Sequence, residues 1–357
     1  MGLTRAFQSA LVVASSVLIA LLLSEVSLRL FSPQNLSGTW RVMHPSGLML
    51  NRSDGTARHQ LGDIVVTYTF GEFHNRKLGA APHRGATKKV LVVGDSFTFG
   101  WLLADGFTYV DRLQKAFPDK VFLNAAAGGW GTADYAKYLE LFCPTIAPSE
   151  VYIFLNTDDI GRASRSSLYK LGTDGSLVPG KGPQQNAVKT TLNRFPIYNW
   201  FLQHSHLVSL ARRVHLINLR PKDKAETSNG AQIEGPSTVL RTQEELTNAV
   251  LLGEALFSKI KRDTDNCGSE LTVFYTGWIG LDDEAEASNP TISFLREERR
   301  HSYFQANGIK FYDLADSAQM ADIHHDRAGY RIPLDQHPNE LGDEKIFLAA
   351  LEKLVDR

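Results

Sequence analysis

Apolar residues fall along this chain in three kinds of run. The first is continuous: from Ala6 to Ser24, between Arg5 and Glu25, nineteen residues carry no charge and include Leu11, Val12, Val13, Val17, Leu18, Ile19, Leu21, Leu22 and Leu23. As a helix rising ~1.5 Å per residue, the run covers about 28 Å, close to the hydrocarbon thickness of a bilayer. The residues that follow, Ser24-Glu25-Val26-Ser27, do not form a small-x-small cleavage pattern. A retained anchor is therefore favoured over a cleaved signal peptide. Arg5 on one side and Arg29 and Arg41 on the other give little orientation signal.

The second kind is short and largely apolar: Lys89–Val93, Val121–Leu123, Val151–Leu155, Leu271–Tyr275 and Ile309–Tyr312. Such runs suit strands buried on both faces of a parallel sheet. The third kind is spaced for one helix face. Tyr109, Val110, Leu113 and Phe117 follow this spacing, as do Tyr135, Tyr138, Leu139 and Phe142. Leu246, Val250, Phe257 and Ile260 sit behind a capping box formed by Thr242 and Glu245, and Ile346, Phe347, Ala350, Leu351 and Leu354 close the chain. Strand and helix alternate, which predicts an α/β fold with a mostly parallel sheet and helices on both faces.

The alternation divides the chain into an apolar anchor at 1–31, a linker with a small edge element at 32–87, and a main α/β domain at 88–357. The linker is polar and rich in Gly and Pro, with one strand-like stretch, Ile64–Phe70. The main domain carries a long insertion at 161–240, rich in Gly, Pro, Asn, Lys and Arg, which predicts an excursion at the sheet edge or over a site. Its locally basic stretch, Leu216 to Lys224 with Arg220, Lys222 and Lys224, is read as a solvated loop.

Composition narrows the functional classes. The 357 residues are 43% hydrophobic and 22% charged, which excludes wholesale disorder. With 38 Lys+Arg against 39 Asp+Glu there is no basic footprint for nucleic acid. Two cysteines, Cys143 and Cys267, cannot make a disulfide framework or a four-thiolate metal site, and buried thiols are favoured over a single bridge. Asp322, His324, His325 and Asp326 crowd together, but adjacent histidines diverge and no ligand spacing supports a closed site, so neither a metal nor another cofactor is expected.

The chemistry concentrates at two places. Gly94-Asp95-Ser96 ends the first buried strand, at the carboxyl edge where open parallel sheets bind ligands. A hydroxyl there can attack a carbonyl while its own N–H steadies the oxyanion. Near the other end stands Asp335-Gln336-His337-Pro338-Asn339, with Pro338 suited to the first position of the last helix. Asp335 can fix the tautomer of His337 and leave the other ring nitrogen as a base.

These two blocks resemble the first and last blocks of the GDSL-type SGNH hydrolases, over roughly Lys88 to Leu354. The resemblance implies a three-layer α/β/α sandwich and metal-free acyl-ester chemistry, with Ser96 as nucleophile, His337 as base and Asp335 as orienting acid. Asn124-Ala125-Ala126-Ala127-Gly128-Gly129 matches the family's second block and implies the Gly129 N–H as an oxyanion donor beside that of Ser96. The third block departs from the family: the strand runs into Leu155-Asn156-Thr157-Asp158-Asp159, so either Asn156 is the third donor or Asp158 stands in that place. An ionised carboxylate would repel an oxyanion. The one-residue gap between Asp335 and His337 looks like that of membrane-anchored members linked to polysaccharide modification.

The resemblance and the anchor together imply an extracytoplasmic domain, periplasmic if the source is bacterial. It would act as an esterase or O-acyltransferase on acyl groups, acetyl foremost, of a cell-surface or secreted glycan, alongside polysaccharide-assembly proteins. A lipid or lysophospholipid esterase and a catalytically impaired glycan-binding or assembly subunit are the alternatives. Trp101, Trp130, Trp200 and Trp278 are candidates for stacking on sugar rings; Trp130, which follows Gly129, is the foremost of them, and Asp95 joins it as an expected substrate contact.

Overall fold

All five short apolar runs pair in one parallel sheet: β1 (Lys88–Gly94), β2 (Lys120–Asn124), β3 (Glu150–Leu155), β4 (Glu270–Tyr275) and β5 (Lys310–Asp313), in the spatial order β5-β4-β3-β1-β2. The computed structural model describes residues 2–182, 192, 195–218, 242–278, 289–296, 299–333 and 335–355. Arg220, Lys222 and Lys224 of the basic stretch lie outside the described residues. In chain order the helices used below are α1 (Gly2–Phe31), α2 (Ser96–Phe99), α3 (Tyr109–Ala116), α4 (Thr132–Ile146), α5 (Asp159–Ser166), α6 (Pro196–His204), α7 (His206–Asn218), α8 (Gln243–Asn266) and α9 (Glu340–Val355).

The period of two along each strand assigns its side chains to two cores. Leu91, Val93, Ile153, Leu155 and Val273 face one way, onto Tyr135, Tyr138 and Leu139 of α4 and Leu256, Phe257 and Ile260 of α8. Val90, Val92, Tyr152, Phe154 and Phe274 face the other way, onto Tyr109, Val110 and Leu113 of α3 and Ile346, Ala349 and Ala350 of α9. The result is a three-layer α/β/α sandwich in which the inner strands β1, β3 and β4 are dry on both faces along most of their length, while the edge strands β2 and β5 are only partly buried.

Two expectations are corrected here. Cys143 and Cys267 are not free thiols but a disulfide, with Cα atoms 6.0 Å apart. Both α4 and α8 end at the amino edge of the sheet, where Ser269 Oγ donates to the Pro148 carbonyl, and that convergence brings the two sulfurs together. The last helix starts at Glu340 rather than Pro338. Asn339 is its cap, accepting from the N–H groups of Leu341 and Gly342 at 3.0 Å each, while Pro338 pairs with Arg331 in a short antiparallel bridge.

The chain separates into two compact units. One comprises Trp40–Thr56, Tyr68–Gln185 and Ile233–Arg357 and contains the sandwich. The other comprises Met1–Thr39, Ala57–Thr67 and Asn186–Gln232. Within this second unit, Phe7–Phe31 of α1 is a helix long and apolar enough to cross a membrane, with most of its apolar side chains exposed. Leu36–Ser37 pairs with Gln60 and His59 in the same unit, and α6 packs on that strand.

Candidate active site

β1 and β3 leave the sheet at the same edge, because Gly94 lies opposite Phe154. At Gly94 the chain turns at once, and a side chain there would collide with Thr98. Asp95 caps the turn: its Oδ1 accepts from the Phe97 N–H at 2.9 Å. Ser96 is thus the first residue of α2, and its N–H makes no hydrogen bond among the described residues. An orphan donor at a helix start favours negative charge.

A short hairpin delivers the other two groups. The Ile332 N–H donates to the His337 carbonyl at 2.9 Å, and the Asp335 N–H to the Ile332 carbonyl at 3.0 Å. Asp335 Oδ1 accepts the His337 N–H at 2.9 Å and also contacts the ring at Nδ1. His337 Nε2 then lies 2.7 Å from Ser96 Oγ, across 241 positions of sequence. With Nδ1 donating to the carboxylate, Nε2 is left to accept the seryl proton. Burial alone would raise the Asp335 carboxyl, but hydrogen bonds and charge from His337 outweigh it and hold the group below its ordinary 3.8. Asp335 is therefore ionised at neutral pH. Ser96 is 3% and His337 5% exposed, so the pair works with little water around it. Phe97 and Trp101 flank the imidazole at ring-centre distances of 4.7 and 5.6 Å, and Trp278 Nε1 donates to the Gln336 carbonyl at 2.9 Å, bracing the hairpin.

Ala127 to Trp130 form a turn in which the Trp130 N–H donates to the Ala127 carbonyl at 3.3 Å and Gly129 takes φ 76°. Only glycine adopts that conformation at little cost. The N–H groups of Gly128 and Gly129 have no partner among the described residues. The turn passes close to the serine: a Cβ on Gly128 would sit 3.9 Å from Ser96 Cβ. Asn156 follows β3. Its Oδ1 accepts from the Thr157 N–H at 2.9 Å and from Thr276 Oγ1 at 3.3 Å, which leaves Nδ2 without a partner among the described residues. Asp158 instead turns to Arg165 and Arg162, at 2.6 and 3.3 Å. Among the described residues, donors without a partner thus follow all three strands: the Ser96 N–H after β1, the Gly128 and Gly129 N–H groups after β2 and Asn156 Nδ2 after β3, while the Asp158 carboxylate is committed to two arginines.

Two expected contacts are corrected. Trp130 is 1% exposed, with its Nε1 donating to the Met49 carbonyl at 2.6 Å and its ring among Tyr135 and Tyr138. It is a core residue, because Gly131 turns the chain straight into α4. Asp95 is sealed as well: Oδ1 caps α2, and Oδ2 lies 2.8 Å from Arg162 Nη1. Of the other tryptophans, Trp278 is buried, and Trp101, half-buried, is the one beside the imidazole. Asp322 pairs with Lys345 at 2.5 Å, and no cluster of three metal-ligating side chains occurs among the described residues; the His324 side chain lies outside them.

The sequence reasoning missed two arginines. Arg162 Nη1 reaches Asp95 Oδ2 at 2.8 Å, the Trp130 carbonyl at 3.1 Å and Asp159 Oδ1 at 3.5 Å, and Nε reaches Asp158. One guanidinium therefore ties together the loops after β1, β2 and β3. Asp159 Oδ2 in turn accepts the Asn156 N–H at 2.6 Å and the Tyr135 hydroxyl at 2.8 Å. Burial first, and Asp95 second, push the Asp159 carboxyl well above its usual value. Arg76 donates from Nη1 to the carbonyls of Phe99 and Gly100 at 2.7 Å each and from Nη2 to that of Leu103 at 2.6 Å, closing the far end of α2. The spacing Asp158-Asp159-x-x-Arg162 was the one available signal for the first; Arg76 had none.

No family model matches the chain, and no curated protein matches it. Among solved structures it is similar to a psychrotrophic esterase from Pseudoalteromonas sp., at 11% identity over 76% of this chain and 100% of that one, TM-score 0.42. It is also similar to a member of the lipolytic protein G-D-S-L family from Veillonella parvula DSM 2008, at 12% identity over 74% and 97%, TM-score 0.40. A catalytic mutant of an acetylxylan esterase from Geobacillus stearothermophilus shows 13% identity over 75% and 94%, TM-score 0.40.

Proposed function

We propose that this chain is a membrane-anchored serine esterase or O-acyltransferase that works through an acyl-enzyme on Ser96, with an O-acylated glycan, acetylated foremost, as its substrate. The observation that carries the reading is the 2.7 Å contact between Ser96 Oγ and His337 Nε2, with Asp335 behind the ring. In this reading Ser96 Oγ attacks the ester carbonyl as its proton passes to His337 Nε2. Charge then develops on the carbonyl oxygen, for which the Ser96 and Gly129 N–H groups and Asn156 Nδ2 are the donors. The imidazolium, steadied by Asp335, gives its proton to the departing sugar oxygen as the ester C–O bond breaks, releasing the sugar hydroxyl. Water completes hydrolysis, or a second hydroxyl completes transfer. The commitment of Asp158 to two arginines supports an active site over an impaired binding subunit.

The test compares the full chain in detergent with Ser96→Ala on p-nitrophenyl acetate, an acetylated oligosaccharide and a lysophospholipid. Labelling by a fluorophosphonate that disappears in Ser96→Ala, with release of acetate from the oligosaccharide, is the expected result. Turnover of the lysophospholipid alone would transfer the substrate assignment to lipid. Absence of both labelling and turnover would overturn the reading.

A further inference from the structure

Helix α6 is amphipathic in the inverted sense. Asn199 Oδ1 accepts from the Thr39 N–H at 2.7 Å and its hydroxyl at 2.8 Å, while Gln203 receives the Arg58 N–H at Oε1 and Arg58 Nη1 at its carbonyl. Leu202 is buried on that inward side. The outward stripe is apolar: Ile197, Trp200 and Phe201 stand at helical spacing and are 62%, 52% and 40% exposed, with Phe195 bare at the helix start. Isolated apolar side chains on a surface are ordinary, but a contiguous aromatic stripe opposite a hydrogen-bonded polar face needs an apolar neighbour.

The location of α6 identifies that neighbour. The joint between α6 and α7 is clamped to the end of α1. Arg29 Nη2 donates to the His204 carbonyl at 2.7 Å, and Glu25 accepts from Ser205 Oγ and from the N–H groups of His206 and Leu207 at 2.8–3.0 Å. If α1 enters the hydrocarbon at Phe7, about 20 residues span its thickness. Glu25 and Arg29 then lie where the acyl chains give way to headgroups. Arg29, Leu36, Arg58, Gln60, His204 and His206 line a cavity of about 300 Å³ at the same joint, which sets basic and imidazole side chains beside α6. Tryptophan and phenylalanine on one helix face, with basic groups alongside, make up the composition of interfacial helices.

We infer that α6 lies in the headgroup region of the bilayer entered by α1, with Phe195, Ile197, Trp200 and Phe201 immersed among lipid. This rests on the membrane-anchored reading. The test places the full chain in phosphatidylcholine nanodiscs whose acyl chains carry bromine either near the glycerol or near the methyl ends. The Trp200 emission is isolated as the difference between wild type and Trp200→Phe, a change that keeps the aromatic contact. Bromine near the glycerol is expected to remove most of that difference emission, and bromine near the methyl ends to remove much less. A disc-bound protein whose difference emission is untouched by either lipid overturns the inference, whether protein or solvent covers the stripe. A chain that does not enter the discs at all overturns the anchor itself, and the inference with it.

Discussion

Arg162 Nη1 stands 2.8 Å from Asp95 Oδ2, immediately before the seryl residue, and the same guanidinium reaches the loops that carry Gly129 and Asn156. A buried pair broken on one side leaves an uncompensated charge, at a cost of about 3–5 kcal/mol. Arg162→Met is therefore expected to lower the melting temperature markedly and to reduce kcat. Arg162→Lys should restore much of the stability but not kcat, because one ammonium cannot reach all three loops together. Thermal melts and ester kinetics on the two variants check this ordering; full kcat in Arg162→Lys would count against a positioning role.

The third donor can be separated from its rival directly. Asn156→Ala removes Nδ2 and is expected to lower kcat by about 10²–10³ with KM little changed. Asp158→Asn touches only the pairings with Arg162 and Arg165 and should keep kcat within about tenfold of wild type, with its loss showing in stability instead. The reverse order in steady-state kinetics would return Asp158 to the site.

Stability should respond to pH through Asp134, whose side chain receives the Gly131 N–H at 3.0 Å at the start of α4. Burial raises its carboxyl from 3.8 to about 6. A folded value above the unfolded one means that the native state holds the proton more tightly. The associated stability is complete below about pH 4 and is lost as pH rises through 6. Asp134→Asn keeps an acceptor for Gly131, so it is expected to stabilise the protein at pH 7 by about 1–3 kcal/mol and to flatten the pH 4–6 limb in denaturant titrations.

The Cys143–Cys267 bridge closes 124 residues of chain at the amino edge of the sheet, opposite the site. Removing it with a Cys143→Ala and Cys267→Ala double variant should cost about 2–4 kcal/mol, because the unfolded chain regains its freedom. The esterase rate at low temperature should stay within about twofold, since the carboxyl edge is held independently by Arg162 and Arg76. Melting and initial-rate measurements with and without reductant check both.

The inner strands were legible because a strand buried on both faces must be largely apolar, as Val90–Val93 and Val151–Leu155 are. That Ser96, Asp335 and His337 meet follows in part from local rules, a glycine at a strand end and an Asp two residues before a His, while the 241 positions between serine and histidine are closed by the sheet. What escaped was selected over long range. Trp130 and Asp95 look available in sequence, yet their burial depends on Met49 and Arg162, far along the chain. The bridge escaped for the same reason, since the neighbours of Cys143 and Cys267 do not say that α4 and α8 end together. Arg76 sits in a stretch that reads as linker, and its value is evident only once three carbonyls surround it.

His337 packs beside the rings of Phe97 and Trp101 while its hairpin is braced by Trp278. Two aromatic rings beside it and a fixed hairpin behind it leave the imidazole few rotamers, so its Nε2 is already directed at Ser96 Oγ before any other molecule arrives.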